Sequence, residues 1–398
     1  MFAMPYYRAV GQIPHKRHTQ FRRPDGGLYA EELMGTEGFS SEAALLYHEG
    51  LPTAIVDAQD WAMPAGTVSP NHPLKPRHFT THKLDAGSAD AVTGRQLLLA
   101  NGDVRISYAV VDSPSPLYRN AIGDECVYVE SGSAVVETVF GALPVSQGDY
   151  VVLPTSTTHR WVPEAALRLF IVEAAGHIAP PARYLTKRGQ FNEFSPFCER
   201  DLRGPAEPLV VPGEDVEVLV RHRSGGTRFV YARHPFDVVG WDGYLYPYAF
   251  NIADFEPITG RVHQPPPVHQ TFAGPNFVIC SFVPRKFDYH PLSIPAPYNH
   301  ANVDSDEVIF YVGGDFMSRK GAGIELGSIS LHPNGFTHGP QPGSVEASIG
   351  KEATDEWAVM VDTFRPLELG DAGLACEDTS YAWTWSGRRN GGSDSTTG

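Results

Sequence analysis

One pattern occurs twice along this chain, and it constrains the fold more than any other feature of the sequence. The first occurrence is "LYRNAIGDECVYVESG", residues 117–132, and its counterpart is "YNHANVDSDEVIFYVGG", residues 298–314. Asn120 falls on Asn302, Asp124 on Asp306, Glu125 on Glu307 and Gly132 on Gly314. Each stretch is followed by a second matching one, "GDYVVLPTSTTH" at 148–159 and "GSISLHPNGFTH" at 327–338. There Gly148 falls on Gly327, Pro154 on Pro333 and His159 on His338. The order is kept and the spacing nearly so, which points to a duplicated β-barrel or sandwich unit.

The flanking sequence agrees with a mainly β protein. "VRISYAVVD", "LRLFIVEAAG", "NFVICSFV" and "EWAVMVDTF" are short, β-branched and aromatic, and are separated by turn residues. The 34 prolines and 39 glycines are spread between such runs. "PDGGLYAEELMG" is read as holding a short helix at 29–34, and "YAWTWS" at 381–386 as a final strand. The expected domains are an N-terminal one at 1–240 with the first unit, a C-terminal catalytic one at 241–386, and a disordered tail at 387–398.

Charge and composition exclude several classes of function. A net charge of −15 with no long Lys/Arg block argues against nucleic acid. The densest basic stretch, "HKRHTQFRR" at 15–23, reads as an exposed arm. The four cysteines are far apart and form no CxxC motif, so neither a zinc ribbon nor a redox dithiol is indicated. No 18-residue apolar run and no signal-peptide h-region occur, so a membrane partner is not expected and the cytoplasm is the expected location.

The second copy carries the chemistry. His300 and Asn302 are two apart and share one face of an extended segment. The turn sequence "VDSD" can bring Glu307 back beside His300 on the next strand. Pro333-Asn-Gly turns the chain again before His338, so His332 and His338 flank one hairpin mouth. If the two hairpins face each other inside a barrel, His300, Glu307 and His338 converge. Two imidazoles and a carboxylate suit non-haem Fe(II), with zinc and Mn(II) open alternatives for the same donors. The first copy has Tyr118 where the second has His300, so Glu125 and His159 alone would hold a metal poorly. The spacing resembles the two signature motifs of the cupin superfamily, with Asn302 in place of the usual second histidine. That resemblance implies a bicupin, two jelly-roll units with an N-terminal extension and the first unit metal-free.

Further stretches resemble one family. "GLYAEELMGTEGFSS", "HPFDVVGWDGYLYPYAFNIADFEP", "RVHQPPPV", "YNHANVDSDE" and "LHPNGFTHGP" keep the motif order of homogentisate 1,2-dioxygenases over most of residues 28–385. The resemblance implies an Fe(II) enzyme that opens homogentisate with O2 in tyrosine and phenylalanine breakdown, and assembly as trimers and hexamers. It implies His300, Glu307 and His338 as iron ligands, His263 as acid/base toward the substrate phenol, and His332 as a pocket residue at the substrate. His269, in the same segment, competes with His263. Two positions depart from the family: Phe316 replaces a tyrosine that contacts substrate, and Asp242 replaces a histidine. They leave open another 2,5-dihydroxylated aromatic acid as substrate. A non-oxidative cupin isomerase or decarboxylase is the further alternative. Arg285, Arg319 and Lys320 read first as solvated cations, with a carboxylate anchor as their other role.

Overall fold

The computed structural model describes residues 6–64, 66–84 and 89–386. The tail at 387–398 lies outside them. Strands dominate; the α-helices among the described residues, Ser344–Ser348 and Asp371–Ala375, are five residues each.

Three large sheets carry the two sequence copies, and a seven-stranded one takes Tyr118–Asn120 and His159–Pro163 of the first. A nine-stranded sheet holds Val104–Val111, Glu125–Ser131, Asp149–Leu153 and Leu167–Ala174 from the first half. A six-stranded sheet holds Gln270–Gly274, Phe277–Phe282, Trp357–Thr363, Asp306–Gly313 and Ser328–His332 from the second. Strands are also exchanged between the halves. Arg77–Thr80 joins the six-stranded sheet beside Ser328–His332, while Tyr248–Asn251 and Glu368–Gly370 join the nine-stranded one.

The two copies have matching local structure. Glu125 pairs with Leu153, and Glu307 pairs with His332. The Asp124 carboxylate accepts from the Thr155 and Ile178 amides at 2.7 and 2.8 Å. The Asp306 carboxylate accepts from the Asn334 and Leu367 amides at 2.9 and 2.8 Å. Gly132 and Gly314 take φ of 87° and 76°, where a side chain would be strained.

Alternation along the strands decides what each sheet face does. In the first unit Val127, Val129, Val151 and Ile171 point into one core, while Tyr108, Tyr128, Tyr150 and Phe170 point into another. That second core joins the two sheets: Phe310 stacks on Phe170 at 4.8 Å and meets Tyr108 and Tyr128 edge-on. Both faces of the first unit's strands are therefore buried, which explains their continuous apolar runs. In the six-stranded sheet Val308 and Phe310 face this shared core, which leaves Glu307, Ile309 and Tyr311 to line a cavity on the other face.

Two short segments differ from the sequence reading. Residues 29–34 do not form a helix; Ala30–Gly35 is a strand paired with Ala43–His48. "AEELMG" has ordinary helix formers, but pairing with the apolar "AALLYH" outweighs that propensity. "YAWTWS" is a 3-10 helix, Tyr381–Ser386, because its aromatics pack against the second motif instead of adding to a sheet edge.

A four-stranded sheet of Arg8–Gly11, Val238–Gly243, Ala43–His48 and Ala30–Gly35 contains a buried histidine between two carboxylates. His48 is 3% exposed. Its Nδ1 donates to Asp237 at 2.6 Å and its Nε2 to Glu32 at 2.9 Å. Burial pulls its pKa down, but the two carboxylate hydrogen bonds prevail and raise it from 6.5 to about 9. A raised folded-state pKa gives stability that is full below the unfolded value and lost as pH rises through the folded one. Stability in urea is expected to fall by about 3 kcal/mol between pH 6.5 and 9.5 relative to His48→Gln. Parallel profiles for the two proteins would refute this assignment.

Candidate metal centre

The two motifs of the second copy meet through a backbone bridge. The His300 amide donates to the His338 carbonyl at 2.8 Å, and the His338 amide returns a bond to the His300 carbonyl at 2.9 Å. Their rings lie 4.3 Å apart. Glu307, near the start of the strand Asp306–Gly313, reaches toward both. Its Oε2 is 3.7 Å from His300 Nε2 and its Oε1 is 3.3 Å from His338 Nε2. One ligand atom from each residue lies within 4.8 Å of the other two. Asn302 stands outside this set and donates to Asp362 at 3.4 Å. Asp362 itself is raised to about 8, by burial first and by the Glu307 charge second.

The donor chemistry fits a divalent cation. His300 Nδ1 faces the Tyr298 carbonyl at 3.1 Å, and His338 Nδ1 faces the Phe336 carbonyl at 3.3 Å. A carbonyl only accepts, so each Nδ1 carries the proton and each Nε2 presents a lone pair. His338 Nε2 is buried and has no hydrogen-bond partner. Two lone pairs and a carboxylate that face one another repel unless positive charge sits between them. Glu307 is held well below its usual range: burial opposes this, but its contacts with His300, His332 and His338 prevail.

The first copy resolves the same problem with a side chain. Tyr118, Glu125 and His159 occupy the equivalent places, and Tyr118 bridges His159 as His300 bridges His338. Arg95 donates to both oxygens of Glu125, at 3.0 and 2.9 Å, and to Glu173 at 2.9 Å. Its guanidinium also lies over the Tyr118 ring at 5.2 Å. Burial alone would raise the Glu125 carboxyl, yet Arg95 holds it down at about 2.

A cavity of about 360 Å³ opens beside His300 and Glu307. His263 lines it, with Nδ1 3.2 Å from Asp288 and its ring 4.9 Å from Tyr298. Asp288 fixes the proton on Nδ1 and leaves Nε2 as the basic atom. His269 lines it as well, but burial first and the Arg285 charge second press its pKa to about 3. So weak a base is a poor proton acceptor, which favours His263 over His269 for that role.

Two expected substrate contacts, His332 and Phe316, and the departure at Asp242 all lie away from the cavity lining. His332 is fully buried and outside the cavity lining; its Nδ1 donates to Glu307 at 2.8 Å and its Nε2 meets the Tyr381 hydroxyl at 2.9 Å. His332 is register-paired with Glu307 on the adjacent strand, so it touches the carboxylate and not the cavity. Phe316 is also outside the lining and packs edge-on against Tyr311 at 5.0 Å. Asp242 lies in the four-stranded sheet, bonded to Arg17 and Tyr7. Arg319, in contrast, lines the cavity and is not solvated. It is 5% exposed, bonds the Tyr311 hydroxyl and the Gly339 carbonyl, and has no carboxylate within 4.0 Å among the described residues. Arg285 is also largely enclosed, 3.7 Å from Glu356, whereas Lys320 is exposed. Sequence reasoning did not find Asp288, Tyr311 or Tyr381: Tyr311 lies inside the second repeat but at none of its matching positions, and the other two lie outside it.

No family model matches the chain. A protein of Saccharolobus solfataricus named "Putative dioxygenase" is 41% identical over 390 residues, covering 96% of this chain and 99% of that protein. The homogentisate 1,2-dioxygenase of Emericella nidulans is 24% identical over 397 residues, covering 90% of this chain and 82% of the relative. This chain is a divergent member of the homogentisate 1,2-dioxygenase family. Among solved structures, a cupin 2 conserved barrel domain protein from Leptotrichia buccalis aligns over 77% of this chain and 100% of its own, with 12% identity and a TM-score of 0.32. As a dioxygenase, the protein acts on a small molecule and O2. No helix among the described residues is long and apolar enough to cross a membrane.

Proposed function

We propose that this dioxygenase is an Fe(II)-dependent ring-cleaving enzyme that opens homogentisate (2,5-dihydroxyphenylacetate) to maleylacetoacetate, in tyrosine and phenylalanine catabolism. The observation that carries the reading is the juxtaposition of the His300–Glu307–His338 donor set with a cavity lined by an unpaired, buried guanidinium. Its volume of about 360 Å³ lies in the range of small-ligand pockets. A buried cation without a carboxylate partner is costly unless a ligand brings negative charge. Arg319 is therefore assigned to the substrate's anionic group.

Fe(II) bound by the three ligands supplies a Lewis acid and a reaction centre for O2. The remaining steps belong to the chain. A free phenol has a pKa near 10, so ionising it at pH 7 costs about 4 kcal/mol. His263 Nε2, oriented by Asp288, takes that proton and can return it to the product. Ile309 and Tyr311 form part of the wall against the aromatic ring. The ring supplies the electrons, and both oxygen atoms enter the product, so no external reductant is required. The two departures from the family, Phe316 and Asp242, lie outside the cavity lining and so do not by themselves argue against homogentisate.

An oxygen electrode tests the proposal with a panel of hydroquinone acids on iron-reconstituted protein. Homogentisate should give the fastest uptake. His263→Gln should keep its iron and lose about 10²–10⁴ in turnover. Uptake with none of the acids, from a protein shown to hold iron, rejects the reading. Turnover of a substrate without O2 would favour an isomerase or decarboxylase instead.

A further inference from the structure

We propose that the C-terminal turn Tyr381–Ser386 is a positioning element of the metal centre, acting on Glu307 through Tyr381 and His332. The inference rests on the reading of His300, Glu307 and His338 as metal ligands.

Hydrogen-bond chemistry fixes the direction of the relay. An ionised Glu307 can only accept, so the 2.8 Å contact requires the proton on His332 Nδ1. A neutral imidazole then has its lone pair on Nε2, so across 2.9 Å the Tyr381 hydroxyl must donate. Tyr381 and His332 are each 0% exposed, so no solvent competes for these bonds. Glu307 Oε1 is thereby held in one orientation from behind. A carboxylate so tethered has less freedom to swing away from the two histidines, and less ordering is needed when an ion binds.

The same turn reaches the segment that carries His338. Trp385 Nε1 donates to the Gly339 carbonyl at 3.1 Å, and Thr384 accepts from Gln341 at 2.9 Å. One short segment thus braces two of the three ligands from outside the cavity, since none of residues 381–386 lines it.

Three variants of the full-length chain test the inference, with Fe(II) and Co(II) affinities measured by chelator competition. Tyr381→Phe removes only the donor, and should weaken both affinities by about 10–100-fold. It should also change the shape of the visible Co(II) spectrum, which a loss of global stability alone would not do. His332→Leu breaks both bonds and should show at least the same loss. His332→Gln can donate to Glu307 and accept from Tyr381, and should recover most of the affinity. The Leu and Gln pair decides the matter if Tyr381→Phe does not fold. Wild-type affinity and spectrum in Tyr381→Phe or His332→Leu would overturn the positioning role alone. A wild-type chain that binds neither ion would overturn the metal centre and the positioning role together.

Discussion

His338→Ala is expected to purify without iron and to consume no oxygen with any aromatic acid. Its Nε2 meets Glu307 at 3.3 Å, is buried and makes no hydrogen bond, and its backbone bridges His300 through two bonds. The substitution leaves a carboxylate and one imidazole. Loss of an outer-shell partner alone typically costs 10–100-fold in metal affinity, so loss of a ligand should exceed about 100-fold. The backbone bridge needs no side chain, so the fold should persist. Iron analysis of protein purified without chelator, beside circular dichroism, checks both points. Stoichiometric iron in the folded variant would mean that the ligand set has been wrongly chosen.

Arg95→Ala should be the most destabilising single change at the other copy. Its guanidinium joins Glu125, which is 0% exposed, to Glu173 at 4%. Removing one partner of a buried ion pair leaves uncompensated charge and typically costs about 3–5 kcal/mol. Glu173 keeps Arg221, but among the described residues Glu125 retains only the Asn120 hydrogen bond at 2.9 Å. Urea unfolding should show the loss at neutral pH, and acidification should narrow it. The sign follows from Glu125: its depressed folded-state pKa gives stability that is present above the unfolded value near 4.5 and lost as pH falls toward about 2. A variant within about 1 kcal/mol of wild type would show that this cluster does not depend on the arginine.

What could be read from the sequence followed from spacing. The repeated Asp-Glu, Gly and Pro-x4-His positions brought Glu307 and His338 together beside His300, because the register of a hairpin follows from residue counts. The long apolar strands were legible for the same reason. The burial of Arg319 was not: "SRKG" looks like a solvated loop, and only the turn Met317–Arg319, tucked beneath Trp385, encloses the guanidinium. His332 and His338 looked alike as histidines around one turn. They differ because His332 is still on a strand, opposite Glu307, whereas His338 lies beyond the turn. Arg95 lies in a stretch with no pattern of its own, and its partners Glu125 and Glu173 are 30 and 78 residues away. Tyr381 is similarly remote, 49 residues from His332.

The triad and its cavity are proposed to open an aromatic ring with O2. The most direct test of this proposal is the stoichiometry of oxygen to substrate in the iron-loaded full-length protein, followed by oxygen electrode and product absorbance together. One O2 should be consumed per homogentisate opened, with no added reductant and no product under anaerobic conditions. Product formed at an undiminished rate without oxygen would contradict the proposal.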